Sequence, residues 1–259
     1  MRTEALTRLL SQLDEKRQEL DRRRPLSPAE AARLRLYLDV EWTYNSNAIE
    51  GSTLTRQETL VVLKHGLTVG GRSMIEHLEA INHQHAIHYV EVLATRPTPI
   101  TEEEIKTIHR LVLRTIDDDN AGVYRDHHVL IAGSAYTPPP PTAVPGLMME
   151  LSTWLARTDV APDMKDADAH HPVERAAHAH FRLVDIHPFV DGNGRAARLL
   201  MNLLLLRAGF PIAVLRNEDR AGYYDALEEG HEGRLDSFLV FVAHAVDRTL
   251  DMFLAVSAE

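Results

Sequence analysis

Within twelve residues, 187-HPFVDGNGRAAR-198 gathers a histidine, an aspartate, a Gly-Asn-Gly turn and two arginines, and the hydrocarbon-rich run 199-LLMNLLLL-206 follows directly. An arginine cannot shed its proton, and a buried charge without a partner is costly, so two guanidinium groups heading an apolar helix call for an anion. His187 precedes a proline and is pushed out of helical geometry, which ends one helix and opens a loop. Gly192 and Gly194 admit backbone conformations closed to larger residues, and consecutive N–H groups in such a turn form an anion nest at a helix N-terminus. On that helix Arg195, Arg198 and Asn202 fall at i, i+3 and i+7, one polar stripe amid leucines. The sum is a polyphosphate site.

Asp191 has the wrong sign for touching phosphate directly, but one carboxylate with phosphate oxygens and waters is the usual donor set for Mg²⁺. His187, just outside the cradle, is placed to take a proton from an incoming hydroxyl. Anion clamp, metal and base are the parts needed to transfer a phosphate-containing group.

The elements that must position these residues are mostly helical. Apolar periodicity and capping signals predict helices over about 3–23, 28–49, 55–64, 74–94, 101–116, 145–158, 172–185, 195–208, 219–230 and 233–256. The exception is 123-VYRDHHVLIAGSAY-136, whose short β-favouring runs separated by Gly-Ser predict a hairpin, followed by the proline-stiffened loop 137-TPPPPTAVPG-146. The expected fold class is therefore all-α with one small β-hairpin flap. Two parts are expected: N-terminal helices over 1–72 and a catalytic core over 73–259.

Composition narrows the function classes. The 259 residues carry a formal charge of −10, with 44% hydrophobic and 25% charged residues and no cysteine. Disulfide and thiol chemistry are excluded, and a net acidic chain argues against a nucleic-acid partner. No apolar run reaches membrane-spanning length, and the N-terminus lacks the pattern of a secretory signal, so no membrane partner and a cytoplasmic location are expected. The histidines at 83, 85, 88, 170, 171, 178 and 180, with Asp168 and Glu174, invite a metal-hydrolase reading, but they form no recognised zinc motif.

With these residues in view, 187-HPFVDGNGRAAR-198 matches in full the HxFx(D/E)GNGRxxR signature of the Fic-domain family. The segment 122-GVYRDHHVLIAGSAYTPPPP-141 resembles that family's Gly-x-Tyr-Arg strand and target-docking flap. The helices flanking the active loop are similar too. The resemblance implies transfer of AMP from ATP to a Ser, Thr or Tyr hydroxyl of a target protein. His187 would be the base, Asp191 the Mg²⁺ holder, Gly192, Asn193 and Gly194 the phosphate cradle assisted by Arg195, and Arg198 the γ-phosphate ligand, with Phe189 anchoring the loop. Val129, Leu130, Ile131 and Ala132 would dock the target by strand addition. Tyr223, Tyr224 and His231 would flank the base of the nucleotide. Many relatives carry asparagine where this chain has His231, so transfer of UMP or another phosphate-linked group stays open. Homodimerisation is common in the family, although no segment identifies an interface.

A second stretch, 46-SNAIEG-51, matches the same family's inhibitory motif (S/T)xxxE(G/N). Ser46 and Glu50 lie one helical turn apart on one face, and Gly51 suits the end of the helix. A carboxylate on the last turn opposes the helix dipole and asks for a cation. The resemblance offers Arg198 and implies that Glu50 blocks the γ-phosphate position. In some relatives the same carboxylate supports AMP removal. A regulatory ATP-binding module with little turnover is the alternative class.

Overall fold

A computed structural model describes residues 3–160 and 170–257 of the chain. Ten α-helices are found among them: α1 (Glu4–Arg23), α2 (Pro28–Ile49), α3 (Arg56–His65), α4 (Met74–Ala94), α5 (Glu102–Leu113), α6 (Val144–Val160), α7 (Pro172–Ile186), α8 (Asn193–Arg207), α9 (Arg220–His231) and α10 (Asp236–Val256).

The helix starts follow from local chemistry. Ser27, Thr55, Ser73 and Thr101 each accept a hydrogen bond from the N3 backbone, and Glu30, Glu58, Glu76 and Glu104 reach back to the cap, closing four capping boxes. Pro28 and Pro172 occupy first-turn positions, where no N–H is missed.

The centre is the pair α7 and α8. Against α8 pack α4 and α5; against α7 pack α6 and α10, with α9 resting on α10. The apolar side chains Leu199, Leu200, Met201, Leu203 and Leu204 of α8 have no exposure, as expected of a helix enclosed on all sides. Leu6, Leu10, Leu13 and Leu20 of α1 join the same apolar cluster, because α1 lies along α10. Helix α2 packs on α3 and α4 and brings its C-terminal end to α8.

The expected hairpin is a correction. No strand occurs among the described residues, and 123–140 is an extended flap carrying a single tight turn, in which Ser134 N–H donates to Ile131 O at 3.2 Å. Its return arm runs into Pro138, Pro139 and Pro140, which have no N–H to build a ladder with. The flap is pinned to its neighbours instead: Tyr136 Oη donates to Asp185 O at 3.0 Å, and Ser134 Oγ bonds to Glu228.

Candidate functional site

The loop between α7 and α8 is fixed from both ends. His187 caps α7 in the left-handed region (φ 48°), a conformation that a non-glycine residue holds only when its surroundings enforce it. Its N–H donates to Leu183 O at 3.0 Å, and its carbonyl accepts from Arg125 Nε at 2.8 Å. At the other end Asn193 folds back on Phe189, accepting from its N–H at 3.0 Å and donating to its carbonyl at 2.9 Å. Phe189 is fully buried, the anchor expected of it.

Two residues that sequence reasoning missed complete the loop's support. His109 of α5 stacks on Phe189 (centroids 3.6 Å apart, planes 7°). Its Nδ1 accepts from Gly122 N–H at 2.9 Å and its Nε2 donates to Asp191 O at 2.7 Å, so one neutral tautomer serves both bonds. Burial, ahead of any charge, pushes its pKa down to about 4. A Cβ on Gly192, whose φ is +74°, would lie 3.1 Å from His109 Nε2, so this glycine answers both a backbone and a space requirement. The second is Glu79 of α4, which accepts from Arg195 Nη1 at 2.9 Å. The one available signal was His109 itself, a polar residue among Ile105, Ile108 and Val112 on the buried face of α5.

Arg195 and Arg198 of α8 diverge. Arg195 turns toward Glu79 and toward Asp191, whose Oδ2 lies 3.2 Å from its Nη2; burial, stronger than the opposing Arg195 charge, raises the pKa of Glu79. Asp191 itself is exposed, and its Oδ1 accepts from Gly192 N–H at 2.6 Å. The third member of the stripe, Asn202, is spent on structure: it exchanges two hydrogen bonds with the Ala213 backbone.

Arg198, 2% exposed, turns toward the end of α2. Its Nε donates to Ser46 Oγ at 3.0 Å, and its Nη2 donates to Ser46 O at 2.8 Å and Glu50 Oε1 at 2.7 Å. The last turn of α2 tightens, Glu50 N–H reaching Asn47 O, and Arg198 takes up the Ser46 carbonyl. Burial opposes the charge on Arg198, but Glu50 and Tyr223 together outweigh it and hold the pKa above the usual arginine value. The Glu50 carboxylate lies directly over Gly194: a Cβ there would overlap Glu50 Oε1 and stand 3.0 Å from Arg198 Nη1. Gly51 follows with φ 107°, the left-handed step expected of it.

His187 is half-buried, and burial is the main cause holding its imidazole down to about 4; the Val184 backbone raises it and the Arg125 charge lowers it further. At neutral pH it is therefore a neutral ring with a lone pair to offer.

Of the residues expected around the nucleotide base, Tyr223 is buried beside Arg198, 3.5 Å from Nη1, and meets His180 Nε2 at 3.1 Å. Tyr224 lies under the Arg220 guanidinium (4.7 Å), and Arg220 Nε donates to Ile49 O at 2.8 Å. His231 stacks on Tyr136 of the flap (3.7 Å, 3°) and bonds through Nδ1 to Asp185 Oδ1 at 3.0 Å. In the flap, Leu130 is 87% exposed, while Val129 and Ile131 are half-buried and Ala132 is exposed. Of the histidine cluster, His170 and His178 face each other at 4.5 Å, and Asp168 lies outside the described residues. No group of three or more metal-ligating side chains converges among the described residues, nor is any described helix long and apolar enough to cross a membrane.

Residues 99–205 match the Fic/DOC family. The protein adenylyltransferase Fic of Nematostella vectensis is 41% identical over 213 residues, 82% of this chain and 48% of that protein. The chain spans about half the length of the curated relatives it matches. Among solved structures, Fic-1 from C. elegans is 31% identical with a TM-score of 0.85, over 97% of this chain and 72% of that one. A Fic domain containing signaling protein from Bacteroides thetaiotaomicron is 29% identical, also with a TM-score of 0.85, over 96% and 97% of the two chains.

Proposed function

The chain belongs to the Fic/DOC family, and from that premise we propose that it transfers AMP from ATP to a hydroxyl side chain of a target protein, with Glu50 holding the activity down at rest. The name protein adenylyltransferase on relatives up to 41% identical supports the reaction class. The observation that carries the reading is the Glu50 carboxylate seated 2.7 Å from Arg198 above Gly194: the cradle accepts an anion, and the protein supplies its own.

In this reading the first turn of α8 binds the phosphates through its N–H groups, and Arg198 takes the γ-phosphate once Glu50 has left. Arg195, braced by Glu79, orients Asp191. The exposed Asp191 carboxylate, with lone pairs beyond those engaged by Gly192 and Arg195, fits a Mg²⁺ ion that completes its shell with phosphate oxygens and water. Such an ion would neutralise charge on the phosphates. Neutral His187 accepts the proton of the target hydroxyl as its oxygen attacks the α-phosphorus; the bond to the β-phosphate bridging oxygen breaks and pyrophosphate leaves. Tyr224 and His231 border the base, and the exposed Leu130 edge of the flap receives the target segment through its backbone.

While Glu50 occupies Arg198, a bound ATP lacks its γ-phosphate ligand. Removing one member of a buried ion pair costs about 3–5 kcal/mol, a latch of useful strength, though access to Glu50 lowers that figure here. Incorporation of labelled AMP by the Glu50→Gly chain tests the reading; activity no greater than wild type would sink it.

A further inference from the structure

Arg125 ties the flap to the active loop with a single side chain. It is 3% exposed, and its described hydrogen bonds run to main-chain carbonyls of three segments: Nε to His187 at 2.8 Å, Nη1 to His127 at 3.1 Å and Nη2 to Pro139 at 2.5 Å. Its own N–H donates to Pro188 O at 3.0 Å. His127 and Pro139 stand on the outgoing and returning arms of the flap, while His187 and Pro188 begin the active loop.

The position of the His187 imidazole depends on a left-handed backbone that side-chain-bearing residues adopt in only a few per cent of cases, histidine more readily than most. The two sides of that residue are held separately. Its N–H is bound to Leu183 O, which limits φ, and its carbonyl is bound to Arg125 Nε, which limits ψ. The same planar guanidinium closes the two flap arms on each other where no strand ladder does so. Burying a permanent cation among carbonyls is costly unless several of them converge on it, and a lysine ammonium lacks the rigid fork that serves three at once.

We infer that Arg125 is a positioning residue for the transfer reaction: it sets the orientation of His187 and couples it to the flap on which the target docks. The inference rests on the reading of His187 as the base. A target segment laid along Val129–Ala132 tightens the arms around the guanidinium, and the guanidinium steadies the carbonyl of the base.

The test uses the full chain carrying Glu50→Gly, with and without Arg125→Lys; Arg125→Gln is the second variant if lysine unfolds the protein. Three quantities are read: labelled AMP incorporated from ATP and Mg²⁺, ATP affinity by calorimetry, and the His187 ring resonance, assigned by its loss in His187→Ala. Expected are a tenfold or greater fall in AMP incorporation, an ATP affinity within threefold of the parent, and a shifted His187 resonance with those of His83 and His180 unmoved. An unmoved His187 resonance overturns the inference, as does unchanged incorporation in a chain whose His187 signal has shifted. A general shift of the buried histidines with lost ATP binding also overturns it, since Arg125 would then be only a structural residue. If the Glu50→Gly parent incorporates no AMP, the transfer reaction fails, and the His187 resonance still decides whether Arg125 sets that ring.

Discussion

Glu50 Oε1 sits 2.7 Å from Arg198 Nη2, in space that exists only because residue 194 has no side chain. Gly194 is helical and needs no special backbone angle, so its absence of a Cβ serves the anion rather than the turn. Gly194→Ala adds a methyl that overlaps the carboxylate and crowds Arg198. The variant should lose the Glu50 contact and yet gain no activity, because the methyl narrows the cradle for phosphate too. Calorimetry in the Glu50→Gly background should find ATP affinity at least tenfold weaker with alanine at 194, about 1.4 kcal/mol. Equal affinity would place the phosphates elsewhere.

Replacing His109 with phenylalanine keeps the ring on Phe189 but strips two hydrogen bonds from the loop. Asp191 O and Gly122 N–H are then left without that partner, at about 1–3 kcal/mol each. Urea unfolding should register a loss of about 2–6 kcal/mol, and AMP incorporation should fall with the loosened loop. A loss below about 0.5 kcal/mol would mean that neither bond matters.

Buried histidines make the fold sensitive to mild acid. Burial is the leading cause that lowers His83 to about 3, His109, His178 and His187 to about 4, and His180 well below its ordinary value. The unfolded chain therefore binds these protons first, near the ordinary histidine value of 6.5. Stability is full above that pH and is lost as pH falls toward 4, each histidine contributing a slope of up to about 1.4 kcal/mol per pH unit. Asp39 works in the opposite sense, since burial and the Glu91 charge raise it to about 6 and its protonation on acidification favours the fold. Burial raises Glu79 in the same sense, and two carboxyls do not offset five imidazoles. Urea midpoints should drop steadily from pH 7 to pH 5, and a flat profile would contradict this electrostatic picture.

What could be read from the sequence was what lay close together along the chain. Capping pairs such as Thr55 and Glu58, and the contiguous run from His187 to Arg198, carry their meaning locally, and the helices appear close to their expected bounds. The partnership of Glu50 with Arg198 spans the chain and was legible only through the family resemblance together with the unfavourable place of a carboxylate on a last helical turn. His109 and Glu79 lie on α5 and α4, and nothing local announces that those helices pack beside the loop. The flap misled because β-favouring residues from Val129 to Tyr136 say nothing of a partner strand. The prolines that follow leave the Arg125 fork to do the joining.

We propose above all that a competent transfer site is held shut by Glu50. Intact-mass measurement after incubation with ATP and Mg²⁺, comparing wild type, Glu50→Gly and Glu50→Gly with His187→Ala, tests it most directly. Glu50→Gly should gain the mass of AMP, wild type at least tenfold less, and the chain with His187 also replaced none. Equal modification of wild type and Glu50→Gly, or modification that survives loss of His187, would contradict it.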